Sequence, residues 1–233
     1  MANYPRKRFP YGGDSIMTFN LKTKLAAAAL ASAAIAAPVL AQSEAPALPG
    51  QVDVSRVAAG SYAADPMHTL VGFRLNHFGF NDYFGIFGGV TGQLQIDPAD
   101  LSAARVDVTI PVADVTVAAS ELKDHLLRPG ADGAKPDFFG PAPSAARFTS
   151  TGVTVTGDTM ANITGNLTLN GVTRPVVIAA EFTGAGANPM SQAETIGFEG
   201  RAAIKRSDFG IDTFVPMVSD EVILDITAAF EKQ

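Results

Sequence analysis

The side chains that could do chemistry near neutral pH are few. Of 233 residues, three are histidine and none is cysteine. Without cysteine there is no thiolate nucleophile, no zinc–thiolate or iron–sulfur site and no disulfide framework. His68, His77 and His125 stand far apart, and none has the i, i+4 partner of a helical metal site. The chain contains no Gly-x-Ser-x-Gly elbow, no phosphate-binding Gly-rich loop and no HExxH run. Ser207-Asp208 and Glu121 read as ordinary surface groups. His68 follows Asp65-Pro66 and is placed to fix a turn, and His125 neighbours Asp124 in a segment of helix formers. His77 is in phase with Val71, Phe73 and Leu75. It is either a hydrogen-bonded histidine at a strand end or a polar anchor for a ligand head group at the mouth of a cavity. No metal or other cofactor is expected, and binding is favoured over catalysis.

The elements that must hold these residues are short strands. Apolar and polar side chains alternate through 71–77, 90–96, 105–112, 163–170, 176–183, 196–205 and 221–230. Ile163, Gly165, Leu167 and Leu169, for example, oppose Thr164, Asn166, Thr168 and Asn170. Period two over so many segments signals half-buried antiparallel strands, each with one wet and one dry face. Asp97-Pro98 and Thr156-Gly157-Asp158 supply turns, and Asn170-Gly171 is a two-residue hairpin signal. Residues 118–127 are predicted to form a helix with Ser120 as its N-cap, stopped by Pro129-Gly130. Residues 136–139 are predicted to add one more helical turn. Seven or eight antiparallel strands imply a closed barrel or a sandwich, because open sheet edges invite aggregation.

The first 41 residues differ. Arg6, Lys7, Arg8, Lys22 and Lys24 precede an alanine-rich run over 25–37, and Val39 and Ala41 sit at −3 and −1 of a cut before Gln42. This is the pattern of a cleavable secretory signal peptide, and it predicts export. The alternative, a membrane anchor, needs about 20 apolar residues. Met17 is a better initiator for such a leader than Met1. Residues 42–60, rich in Pro, Ala and Gly, read as a flexible lead-in to a domain over 61–233. Without the leader, 12 basic and 22 acidic side chains remain, a net charge of −10. Such a surface repels phosphate backbones and anionic head groups. No nucleic acid is expected as a partner, and a lipid would have to be taken by its tail.

The dry faces carry Val, Ile, Leu and Phe, interspersed with Gly92, Gly165, Ala180, Gly200, Ala202 and Ala228. Small inward residues let strands coil into a barrel and leave volume inside. An eight-stranded barrel can be filled by its own side chains or can hold one small ligand. Both a filled core and an apolar tunnel fit the pattern.

Several stretches, in order, resemble the YceI-like family. Asp65-Pro66-Met67-His68-Thr69-Leu70-Val71-Gly72-Phe73, then His77-Phe78-Gly79, resemble its opening motif, and 85–92 continues it. Asp124-His125-Leu126, Asp137-Phe138-Phe139 and Ala146-Arg147-Phe148-Thr149-Ser150 resemble its middle block. Residues 165–176 resemble its hairpin, and 205–211 with 218–222 its end. The link 129–136 and the run Gly140-Pro141-Ala142-Pro143 depart from it. The resemblance covers 62–230 and implies an all-β fold: an extended eight-stranded antiparallel barrel, lipocalin-like, with one short helical excursion. It also implies periplasmic binding, transport or storage of a long apolar lipid, of polyisoprenoid or isoprenoid-quinone type, in the barrel interior. Transient membrane contact and a homodimer are the further associations considered. The residues expected to line the ligand are Val71, Phe73, Leu75, Phe87, Val108, Phe138, Phe139, Phe148, Leu167, Phe182, Phe198 and Phe209. His77 and Arg206 are expected at its polar end. The competing readings are an enzyme acting on an isoprenoid or quinone through His77 or His125, and a filled structural barrel that works through its loops.

Overall fold

The alternation resolves into one antiparallel sheet of eleven strands that closes on itself. The computed structural model describes residues 47–233, so the predicted signal peptide lies outside the described residues. In chain order the strands are β1 (Gly60–Ala64), β2 (Leu70–His77), β3 (Asn81–Phe87), β4 (Thr91–Ile96), β5 (Arg105–Ile110) and β6 (Thr116–Val117). After the helix α1 (Ser120–Leu127) come β7 (Ala146–Val155), β8 (Met160–Leu169), β9 (Val172–Ala187), β10 (Glu194–Lys205) and β11 (Glu221–Lys232).

Three pairs of strands are single staves broken by a turn. β11 pairs with β1 near its end and with β2 nearer its start. β1 and β2 in turn pair with β4 and β3, and those with β5 and β6. Local chemistry explains each break. Asp65 turns the chain by accepting from the Met67 amide and from His68. Gly89, at φ +66°, sits between β3 and β4. Pro111, which has no amide proton to give a ladder, ends β5. Eleven strands therefore make eight staves, and the β1–β11 pairing closes the ring. Bound edges leave no template for further pairing.

The charged pairs between strands lie outside. Arg147 pairs with Asp107 across β7 and β5, and Arg201 with Asp225 across β10 and β11. Val90, Phe148, Leu167, Val176 and Ala202 are buried inside. A wall that is wet outside and dry inside is the inverse of a membrane-spanning barrel.

Three expectations need correction. The predicted helix starts at Ser120, so the cap position falls to Ala119, whose methyl offers no acceptor, and the Ser120 hydroxyl donates to the Glu121 carboxylate instead. Residues 136–139 form no helical turn; 137–139 are a bend. The Phe139 and Gly140 amides both donate to the Leu126 carbonyl, which draws the segment onto the end of α1 and away from helical bonds of its own. The lead-in is not free from Pro49 onward. Gln51 exchanges backbone hydrogen bonds with Ala185 at 3.1 and 2.9 Å, and Asp53 caps a short 3-10 turn over Val54–Arg56. Gly186 lets this strap approach, since a Cβ there would lie 2.0 Å from the Pro49 carbonyl oxygen.

Candidate functional site

Two chambers lie along the barrel axis. The larger holds about 500 Å3 and the smaller about 130 Å3. Val71, Ile110, Leu167 and Leu224 form walls of both, so the two abut at a shared waist. A volume of several hundred Å3 with an apolar wall is typical of a small-molecule site.

A bulge in β7 shapes the open end of the larger chamber. The register of β7 against β8 slips between Ser150 and Gly152, and past it β7 no longer pairs with β5. The buried Ser150 hydroxyl accepts from the Val106 amide at 2.8 Å, supplying the acceptor that the ladder lost. The diverging strands leave a mouth between the β7–β8 hairpin, the 97–104 connection and the strap. Val54, Val155 and Met160 line it and are exposed. At the other end, Leu126 of α1 with Phe138 and Phe139 lines the smaller chamber.

Of the residues expected to line a ligand, Val71, Val108, Phe148, Leu167, Phe182 and Phe198 face the larger chamber. Phe182 and Phe198 meet edge-on at 5.9 Å, and Phe198 meets Phe230 at 6.3 Å. Phe73, Leu75, Phe87, Phe138, Phe139 and Arg206 face the smaller chamber, with Val71 and Leu167 at the waist. Phe87 lies 5.3 Å from Phe73 and 6.0 Å from Phe139, centroid to centroid. Phe209 borders neither chamber. It is packed into the solid core, where Asn170 holds its carbonyl.

The two residues expected at a polar end are placed otherwise. His77 lies exposed at the tip of β2, bridged to Val218, with its ring edge-on to Phe78 at 4.4 Å. Arg206 is 4% exposed. Its guanidinium donates to the carbonyls of Ser219, Ile211, Thr213 and Val218 at 2.8–2.9 Å. Burial pulls its pKa below the ordinary value, opposed by the Asp220 and Asp212 carboxylates. Four of its five N–H groups thus hold the 206–220 loop. The surface it adds to the smaller chamber is apolar, because that wall presents no polar atoms.

The remaining histidines serve turns and anchors. His68 Nδ1 lies 2.5 Å from Asp65 Oδ2. His125 Nε2 lies 2.9 Å from Asp137 Oδ2 and 2.8 Å from an Arg128 nitrogen, outside both chambers. Arg128 and His125 hold the Asp137 carboxyl below the usual carboxylate range. Among the described residues no group of three or more His, Asp or Glu side chains is placed to hold a metal.

The mouth is not legible in the alternation of the strands. Val54 and Val57 lie in the segment read as a lead-in, and Leu101 in a connection. Val153 and Val155 do alternate, but in the opposite phase to Ala146 and Phe148, because of the bulge. One inward glycine also behaves differently from the expectation that it leaves space. The Phe148 ring occupies the place of a Gly165 side chain, 2.4 Å from where a Cβ would lie.

A family model described as the YceI-like domain matches residues 62–230. A UPF0312 protein of Azotobacter vinelandii is 35% identical over 216 residues, covering 91% of this chain and 100% of its own. The crystal structure of Burkholderia cenocepacia BcnA superposes with a TM-score of 0.60 at 24% identity, over 71% of this chain and 98% of its own. A polyisoprenoid binding domain from Saccharophagus degradans, implicated in plant cell wall breakdown, superposes with a TM-score of 0.53 at 14% identity. It is covered over 98% of its length and covers 74% of this chain. Both structures share the fold.

Proposed function

The chain belongs to the YceI-like domain family, and from that premise we propose that it binds an apolar lipid of polyisoprenoid type inside its barrel. The observation that carries this reading is the chamber of about 500 Å3 whose wall is almost wholly apolar and which reaches the surface at one end. The fold shared with a polyisoprenoid binding domain supports the same class of ligand. The protein works by binding rather than catalysis, as a shuttle or reservoir in the periplasm after export under its leader. Each buried carbon of a lipid tail is worth about 0.8 kcal/mol against water, but the tail's real alternative is a bilayer of equal apolarity. The chamber therefore needs only to match a membrane, and small differences decide loading and release. Transient contact with a membrane follows, and the exposed apolar rim at Val54, Val155 and Met160 is the surface suited to it.

Native mass spectrometry of the protein purified without detergent from its own envelope tests this. A co-purified mass lost on organic extraction is the expected result. Bare protein that also takes up no added isoprenoid alcohol would overturn the reading.

A further inference from the structure

Resting on that reading, we infer that the strap over 49–57 is a lid on the larger chamber, which swings off β9 to let lipid in or out. The strap precedes the residues matched by the family model, 62–230, so it lies outside the shared domain. It borders the mouth opposite the β7–β8 hairpin, and Val54, Ser55 and Val57 face the chamber. A lipid that crosses the mouth must pass these side chains.

The hydrogen bonds divide the strap into a rigid arm, a fixed base and a latch. Within the arm, the Ser55 amide and hydroxyl donate to the Asp53 carboxylate at 2.9 and 2.6 Å. The Arg56 and Val57 amides donate to the Asp53 and Val54 carbonyls at 3.2 Å, and the Arg56 guanidinium to the Pro49 carbonyl at 3.2 Å. None of these bonds breaks if the arm moves as a unit. At the base, the buried Tyr62 donates its hydroxyl proton to the Ala58 carbonyl at 2.7 Å, so the free arm begins at Val57. Among the described residues, the arm's hydrogen bonds to the barrel are the two that Gln51 exchanges with Ala185. Glycines on either side of Ala185 form the seat. A Cβ at Gly184 would lie 3.4 Å from the Gln51 amide nitrogen, and one at Gly186 would lie 2.0 Å from the Pro49 carbonyl oxygen. Little apolar area holds the arm down, since residues 49–56 are all exposed and Val57 is half-buried. Two backbone bonds, net of water, favour the seated arm by on the order of 30-fold. That leaves a minor open state of about a few per cent, a route for exchange.

The test is the rate at which the full chain takes up farnesol or solanesol from phosphatidylcholine vesicles and releases it to vesicles without the alcohol. Vesicles are removed by centrifugation, and bound lipid is measured by mass. Gln51→Cys with Ala185→Cys locks the latch. Residues that exchange both bonds have Cα atoms about 5.5 Å apart, within disulfide reach, and the chain has no cysteine of its own. Oxidised, this variant should load and release at least about 10-fold more slowly than when reduced, with the same final occupancy. Gly186→Val acts in the other direction. Its side chain fills the seat, lifts the arm and should speed both steps several-fold. An oxidised form that loads as fast as the reduced one, or a Gly186→Val variant that exchanges no faster than wild type, would overturn the lid and leave lipid binding standing. Failure of wild type to take up either alcohol would overturn lipid binding and the lid together.

Discussion

Arg206 and His77 show how residue type and residue role separate. Both are polar side chains near an apolar bore, and both suit a head-group anchor on chemical grounds. Burial assigns Arg206 to structure instead, because its donors close the 206–220 loop over the barrel end. Arg206→Met keeps most of the volume but leaves several buried carbonyls without a partner, at about 1–3 kcal/mol each. We expect a loss of at least about 3 kcal/mol in urea denaturation, with affinity for farnesol per folded molecule unchanged. A head-group anchor would show the reverse, a large loss of binding and a small loss of stability. His77 is exposed and bridges the β2 tip to Val218 through its backbone. His77→Ala should therefore shift stability by no more than about 0.5 kcal/mol and leave lipid uptake intact. A selective loss of uptake in that variant would return the histidine to the site.

At the scale of elements, legibility followed the regularity of the alternation. β8, β10 and β11 keep one phase along most of their length, so pattern alone identifies them. β3 hides because Tyr83, Phe84, Ile86 and Phe87 are apolar on both faces, and its outward Phe84 and Ile86 are exposed. β7 hides because its bulge reverses the phase after Ser150, placing Ala146 and Phe148 but also Val153 and Val155 inside. The mouth depends on that reversal, so the same irregularity that opens the site concealed it. The connection after α1 is illegible for another reason: its partners are distant or capping groups that no local period encodes. Asp137 is the clearest, tied to Arg128 and His125. Its carboxyl is held below the usual range in the fold, whereas an unfolded aspartate titrates near about 3.9. The anchor is thus fully present above about pH 4 and is lost as pH falls through the lowered folded value. In urea titrations, wild type should exceed Asp137→Asn at pH 6, and the difference should vanish toward pH 2. A gap that persists at the lowest pH would show that the carboxylate does not anchor the helix.

For the whole molecule, the question is why a barrel that could fill itself leaves a chamber of about 500 Å3. Closed barrels of eight strands are near the size at which side chains suffice, and unfilled apolar volume gives up dispersion contacts and stability. Ala180 and Ala202 are buried in the wall of the larger chamber, where bulkier residues would reach across it. Small side chains at these positions reserve space, and the sign of one substitution can prove it. Ala180→Phe points a ring into the chamber from β9, opposite Gly200 on β10. If the interior were solid, the ring would overpack it and cost about 1–3 kcal/mol. If the space is real, the ring exchanges water for apolar surroundings, and fully burying such a side chain is worth about 1.5–3 kcal/mol. We expect Ala180→Phe to unfold at an equal or higher urea concentration than wild type while extracting an isoprenoid alcohol less well, because the ring takes volume that the chain would fill. Stability and capacity moving in opposite directions distinguish a reserved chamber from a packing defect. A variant that loses stability and keeps its capacity would mean that the ligand lies elsewhere on the barrel.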